Sequence, residues 1–431
     1  MANDREDEAM RRPVAGSVRR SKTVIAASLV ASIVALGLGQ RALEASTKGK
    51  ALVAPRFEVD PLWPKPLPNH WVLGNVIGVG VDAKDHVFIV HRNDTFNAQQ
   101  EIGAVQSPPL SECCVPAPPV LEFDPQGNLV KAWGGPAPGH DWPESNHGIS
   151  IDNKDNVWIG GNGTCPPPGS PGCPSGTIDS FILKFTHDGT FLLEIGLPHQ
   201  TVNSNSTTHF GRVAKISFDI PANEAFLADG YGNKRVAVID MDNGRIKRFW
   251  GAYGHVPSDS NLGPYNPDAP IAQQFRNPVH CAEPTPDGLV YVCDRVNDRI
   301  QVFKKNGEFV KEKIIKPLTR GDGSVWDIAF SRDPAQKYIF LADGKNEMVY
   351  VMDRQSLEIL TSFGDGGRQP GEFFAVHSIA TDSKGNIYTA ETYEGKRVQK
   401  FVYRGMGSVA EHQGVVWPGA RAARGSSAPN R

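Results

Sequence analysis

The sequence predicts an all-β fold, a six-bladed β-propeller with four-stranded blades whose ring is closed by an N-terminal strand. Three observations carry this expectation. The 431 residues include 44 glycines and 34 prolines, and aliphatic runs are short, which suits many brief strands joined by turns. One strand–turn–strand pattern recurs six times along the chain. Further strand-like segments follow each copy, as a four-stranded unit requires.

The six copies are "IGVGVDAKDHVFIVHR" (77–92), "HGISIDNKDNVWIGGN" (147–162), "AKISFDIPANEAFLADG" (214–230), "HCAEPTPDGLVYVCDR" (280–295), "WDIAFSRDPAQKYIFLADG" (326–344) and "HSIATDSKGNIYTAET" (377–392). Each reads as a strand, a tight turn rich in Asp, Asn or Gly, and a second strand. Third strands follow, such as "PVLEFDP", "RVAVIDM" and "RVQKFVY", and then fourth strands such as "LVKAWGG" and "IKRFWGAYG". Repeats of this kind form a solenoid or a propeller. Ring closure is favoured because it removes the free sheet edges of an open array. The sixth unit has no fourth strand after Tyr403. "RFEVDPLW" (56–63) has strand alternation and no partner of its own, so it is expected to complete blade six.

The expected layout is 1–46 export signal or membrane anchor, 47–70 N-terminal segment with the ring-closing strand, 71–404 propeller and 405–431 C-terminal tail. The tail is rich in Arg, Ala, Gly and Ser and is expected to be poorly ordered. Near the N-terminus, Arg11, Arg12, Arg19, Arg20 and Lys22 precede "TVIAASLVASIVALGLG" (23–39), which carries no charge. This reads as an export signal with a long basic region. An apolar run of that length can also just span a bilayer, so membrane anchoring through 23–39 stands beside cleavage. In either case the bulk of the chain lies outside the cytoplasm.

The six cysteines agree with an oxidising compartment. Cys281 and Cys293 flank "PDG" and fall opposite each other once that segment folds as a hairpin. Cys165 and Cys173 can close the loop "CPPPGSPGC", and the pairing of the neighbours Cys113 and Cys114 is open. A zinc site of two cysteines and two histidines is the rival reading, but the chain has no CxxC pair. The formal net charge is −2 with both signs interspersed. That leaves no basic stripe for nucleic acid. Nothing in the sequence fixes an oligomeric state.

A four-stranded meander reverses three times, so the strand 2–3 loops and the inter-blade links emerge on one face. Every long insertion here is of that kind, including 93–118, 163–178, 197–212 and 252–277. Long loops gathered on one face suggest a covered site. Aligning the units on the residue ending strand one (Asp82, Asp152, Asp219, Thr285, Ser331, Asp382) places Ile77, His147, Ala214, His280, Trp326 and His377 five positions earlier. Histidine thus occupies alternate blades, about a third of a turn apart in a six-bladed ring. The register position begins the innermost strand, so three imidazoles should meet on the axis. Such a set suits Zn²⁺ and leaves a position for water or substrate, although other transition metals accept imidazole too. His86 falls in a short turn on the far face and reads as a turn residue.

Two further residues follow from the topology. Arg92 ends strand two of blade one and Tyr231 follows strand two of blade three, so both belong to the loop-rich face. Taken singly, the first reads as a paired or solvated arginine and the second as packing. Beside a metal, a phenolate can serve as base and a guanidinium can hold a carboxylate by two parallel hydrogen bonds. Arg235, Arg299 and Arg397 open third strands repeatedly and read as architecture.

Across residues 71–404 the units resemble the NHL class of propellers. Within it, "GVGVDAKDHVFIVHR", "HGISID", "ADGYGNKR", "NPVHCAE" and "VHSIATD" resemble the peptidyl-α-hydroxyglycine α-amidating lyases. These cleave a hydroxyglycine-ended peptide to a peptide amide and glyoxylate, using zinc. The resemblance implies zinc on His147, His280 and His377, an essential arginine at Arg92 and a catalytic tyrosine at Tyr231. It also implies a structural calcium bound by the carbonyls of Val79 and Ile149 and by an aspartate, whose place Ser378 takes here. The Met-Pro before the family's last histidine is Ala375-Val376, and the cysteine after its tyrosine is Gly232. The expected function is therefore that of an exported zinc-dependent carbon–nitrogen lyase acting on a small-molecule or peptide substrate. The alternatives are a metal-dependent hydrolase such as a lactonase, or a non-enzymatic propeller that binds protein or carbohydrate.

Overall fold

The computed structural model describes residues 52–164, 178–198, 200 and 203–419. The segment 23–39, the Cys165–Cys173 pairing and the chain beyond residue 419 lie outside them. Among the described residues there is no α-helix, only short 3-10 turns, and no helix is long and apolar enough to cross a membrane.

The chain forms six four-stranded antiparallel sheets, as the repeats predict. Blade one comprises Asn75–Val81, Val87–Arg92, Val120–Phe123 and Leu129–Trp133. Blade two comprises Asn146–Ile151, Val157–Gly161, Phe181–Phe185 and Phe191–Gly196. Blade three runs from Val213–Asp219 to Ile246–Trp250, blade four from Val279–Pro284 to Phe309–Ile314, and blade five from Asp327–Phe330 to Ile359–Phe363. Blade six takes Val376–Thr381, Ile387–Glu391 and Arg397–Ser408 from the end of the chain and Val53–Asp60 from its beginning. The ring thus closes as expected, with Phe57 opposite Tyr403 and Val59 opposite Phe401. The closing strand begins three residues earlier than the alternation suggested and ends at Asp60.

Local chemistry explains the turns. Asp82, Asp152 and Asp382 directly follow first strands, and each accepts backbone N–H groups two and four residues on. This is the Asx turn that the Asp-rich hairpins call for. Second strands such as Val157–Gly161 and Tyr338–Asp343 are buried throughout, because neighbouring sheets cover both of their faces. Fourth strands such as Leu129–Trp133 are partly exposed at the rim. The core therefore consists of layers between blades, and Phe57, Phe340, Phe363, Phe373 and Phe401 form the one beneath the closure.

Cys281 and Cys293 are register partners and form a disulfide. Cys113 and Cys114 pair with each other. Arg235, Arg299 and Arg397 each bond the acid ending strand two through Nε, namely Asp229 at 2.8 Å, Asp294 at 2.7 Å and Glu391 at 2.8 Å. Their other donors hold loop carbonyls, as at Ser204 and Gln274. They are architecture, as their repetition suggested.

The described part of the tail, residues 405–419, differs from expectation. Strand three of blade six continues to Ser408, and the following segment packs on blade five. Val59 N–H donates to the Val416 carbonyl at 2.8 Å, Gln413 N–H donates to the Ser362 carbonyl at 2.8 Å, and Val416 is buried. Composition suggested looseness there, but Val415 and Val416 supply apolar side chains that cover the closing strand.

Candidate metal centre

His147, His280 and His377 meet on the propeller axis. Their ring centroids are 4.8–5.1 Å apart, and one nitrogen of each lies within 4.8 Å of the others. All three are buried. Each Nδ1 bonds a backbone carbonyl of the next blade: His147 to Ala214 at 2.7 Å, His377 to Ile77 at 2.8 Å, and His280 to Trp326. The acceptors are the register equivalents of the histidines in the odd-numbered blades. A carbonyl can only accept, so the proton resides on Nδ1 and Nε2 keeps its lone pair.

Gly148 permits one of these approaches. It adopts φ +65°, and a Cβ there would collide with the Ala214 carbonyl that His147 uses. Burial holds all three imidazoles well below their ordinary pKa, and the neighbouring Arg92 and Arg295 guanidiniums lower His377 further. Three neutral imidazoles with fixed tautomers, presenting Nε2 to one point, fit a zinc-type ion.

Tyr231 stands over this point. Its hydroxyl lies 3.0 Å from His147 Nε2 and 3.2 Å from His280 Nε2. Arg212 fixes its backbone by donating from Nη2 to the Tyr231 carbonyl at 2.6 Å. Arg92 donates from Nη2 to Asn162 Oδ1 at 2.6 Å and from Nε to the Asn146 carbonyl at 3.3 Å. Neither bond uses Nη1. The five residues expected around the metal therefore gather at one end of the axis.

Two residues of this site escaped sequence reasoning. Arg295 Nη1 donates to the Tyr231 hydroxyl at 3.3 Å, and its guanidinium stacks 4.7 Å from the Trp326 ring. The signal was present, since Arg295 follows Thr285 by ten residues as Arg92 follows Asp82. Tyr393 follows strand two of blade six. It is half exposed, and burial first, then Asp322, raises its phenol above the ordinary value while Arg295 and Arg92 oppose.

The expected calcium site does not fit. Below the histidines the axis is lined by Ile149, Lys215, Asp327 and Ser378. Lys215 Nζ lies 2.7 Å from Asp327 Oδ1 and 2.9 Å from Glu283 Oε1. Ser378 Oγ donates to Asp327 Oδ2 at 2.9 Å and accepts from Val79 N–H at 3.4 Å. Burial favours the neutral amine, but Asp327 and Glu283 outweigh it and raise Lys215 above its usual range. The carboxylate has moved one blade, from the position of Ser378 to that of Asp327, and an ammonium already neutralises it. The Val79 and Ile149 carbonyls with a serine make a poor set for an ion that takes six to eight oxygens.

No family model matches the chain. It is 25% identical over 359 residues to peptidyl-glycine alpha-amidating monooxygenase B of Xenopus laevis, covering 80% of this chain and 35% of that protein. It is 23% identical over 372 residues to peptidyl-alpha-hydroxyglycine alpha-amidating lyase 1 of Drosophila melanogaster, covering 80% and 59%. It is also 23% identical over 365 residues to NHL repeat-containing protein 3 of Mus musculus, covering 81% and 84%. The chain thus spans about a third of the first relative and under two thirds of the second. Among solved structures, a streptogramin B lyase superposes with a TM-score of 0.44 at 12% identity over 83% of this chain.

Proposed function

We propose that the protein is an exported metal-dependent lyase that cleaves the carbon–nitrogen bond of an N-acyl-α-hydroxyglycine type substrate, small molecule or peptide. The observation that carries this reading is Tyr231, with its hydroxyl 3.0 Å from His147 Nε2 and 3.2 Å from His280 Nε2. Similarity to an amidating monooxygenase and an amidating lyase supports it. His147, His280 and His377 would hold the metal, zinc by their donor set, and it would supply Lewis acidity toward the substrate hydroxyl.

The remaining chemistry belongs to the chain. Arg92 Nη1, which takes no part in the bonds to Asn162 and Asn146, would hold the substrate carboxylate. Tyr231 would take the hydroxyl proton as the general base, with Arg295 Nη1 3.3 Å from its oxygen to offset the charge that develops there. The O–H pair becomes the carbonyl of the glyoxylate product. The C–N pair moves to nitrogen, which takes a proton to give the amide, so no water is consumed. Ala375-Val376 alters the pocket wall next to His377, so the acyl portion is expected to differ from a peptide's.

The test uses metal-loaded wild type and Tyr231→Phe with an N-acyl-α-hydroxyglycine. Wild type should release amide and glyoxylate in equal amounts, and the variant should lose about 10²–10⁴-fold in kcat with unchanged metal content. Equal rates would remove Tyr231 from this role. A second reading, a binding propeller without catalysis, is favoured by the match over 84% of NHL repeat-containing protein 3. It predicts neither product from any hydroxyglycine derivative.

A further inference from the structure

Blades two and six share a device at the far rim that blade one has lost. In blade two, Asp152 Oδ2 accepts from Asn156 Nδ2 at 2.9 Å and Trp158 Nε1 at 3.0 Å. Lys184, directly across from Trp158, lies 3.8 Å from the same oxygen. In blade six, Asp382 Oδ2 accepts from Asn386 Nδ2 at 2.7 Å and the Tyr388 hydroxyl at 3.1 Å, with Lys400 across from Tyr388. Each buried aspartate thus has two donors, and a lysine stands across from its aromatic neighbour.

Blade one lacks all three partners. The position of the asparagine is His86, whose ring turns to Glu122. The position of the aromatic donor is Phe88, which has none. The position of the lysine is Glu122, across from Phe88. A second carboxylate has replaced the neutralising ammonium. Among the described residues neither Asp82 nor Glu122 pairs with a lysine or arginine, including Lys131, the cross-strand partner of Glu122.

His187, in the strand 3–4 turn of blade two, completes the group. Its Nε2 lies 3.1 Å from Glu122 Oε1, which also meets His86 Nδ1 at 2.5 Å. The Phe88 and His187 rings stand perpendicular, with centroids 5.2 Å apart. One ligand atom each of Asp82, Glu122 and His187 lies within 4.8 Å of the others. Asp82 is 7% and Glu122 1% exposed. Asp82 Oδ2, Glu122 Oε2 and His187 Nδ1 are buried without a hydrogen-bond partner. Orphaned buried carboxylate oxygens are costly and rare, and an ion is a recognised remedy.

We propose that Asp82, Glu122 and His187 form a second metal site, between blades one and two on the far rim, with His86 orienting Glu122. Two carboxylates and an imidazole without sulfur suit Zn²⁺ or Mn²⁺ more than a hard ion that takes oxygen alone. The ion bridges two blades and replaces the lysine that blades two and six carry. It stands apart from the three-histidine centre, and the reading does not depend on lyase activity.

The test is zinc titration, by calorimetry and elemental analysis, of full-length protein stripped with chelator. A His147→Ala/His280→Ala/His377→Ala variant should still bind one Zn²⁺ per chain, and adding Glu122→Gln or His187→Ala should weaken it at least tenfold. Glu122→Lys in that background should restore the pairing of blade two, giving a fold whose melting temperature no longer responds to chelator. If the triple variant does not fold, the wild type should bind two zinc ions and its Glu122→Gln variant one. A folded triple variant that takes up no zinc, or binding unchanged by Glu122→Gln, would overturn the proposal in favour of a metal-free cluster of histidines and carboxylates.

Discussion

His377 Nδ1 lies 2.8 Å from the carbonyl oxygen of Ile77, 300 residues earlier in the chain. One hydrogen bond therefore joins the last ligand of the candidate metal centre to the first strand of the first blade. Site and ring closure depend on each other at this contact.

Closure should be sensitive to Phe57. It is 3% exposed and packs against Phe340 at 5.3 Å and Phe363 at 5.5 Å. Phe57→Ala should cost about 3–5 kcal/mol, the usual loss for a buried phenylalanine. Chemical denaturation would measure it, and a loss below about 1 kcal/mol would mean that the closing strand contributes little.

Arg295 should matter to turnover without holding the metal. A hydrogen bond to a charged group contributes about 1.5–3 kcal/mol, so Arg295→Met should lower kcat roughly ten- to hundredfold. Zinc stoichiometry should stay at the wild-type value. A variant that loses zinc in proportion to activity would instead make Arg295 a support of the histidines.

Lys215 should make the axial channel indifferent to calcium. Chelating calcium selectively, with zinc in excess, should leave the wild-type melting temperature unchanged. Lys215→Met leaves Asp327 and Glu283 unbalanced and should cost about 3–5 kcal/mol, as when one partner of a buried pair is removed. Part of that loss should return on adding Ca²⁺. A wild type destabilised by calcium removal would restore the family's site.

His91 supplies a pH dependence. It is fully buried, and its Nδ1 accepts from Gly74 N–H at 3.2 Å. Burial pushes its pKa down to about 4. The unfolded chain takes up a proton near pH 6.5 that the folded chain refuses, so stability falls as pH drops from 6.5 toward 4. The full difference is about 3 kcal/mol. Denaturation midpoints of wild type and His91→Gln between pH 7 and 4.5 should converge at the acid end. Parallel curves would show that His91 is not the source.

The repeats made the blades, the closure and the three histidines legible, because register survives even where identity between units is low. Cys281–Cys293 was legible for the same reason, as a hairpin fixes which residues face each other. Arg295 was within reach but needed the second-strand ends compared across all blades. Lys215 and Asp327 share the register step of Ser378, one residue after the axial position, but Glu283 lies off it, and their meeting across blades three, four and five is a tertiary contact that the repeat does not reveal. Asp82 and Glu122 show the same limit: each looks ordinary until the lysine of blades two and six is seen to be missing.

The pairing of His147 with Ala214, His280 with Trp326 and His377 with Ile77 obeys a parity rule. Ligand-bearing and carbonyl-giving blades alternate, and alternation around a closed circle requires an even number. Each acceptor is a backbone atom, so the side chain that carries it is free to vary, as Ala214, Trp326 and Ile77 do. What the centre constrains is the backbone path of the blade after each ligand, not the residue found there.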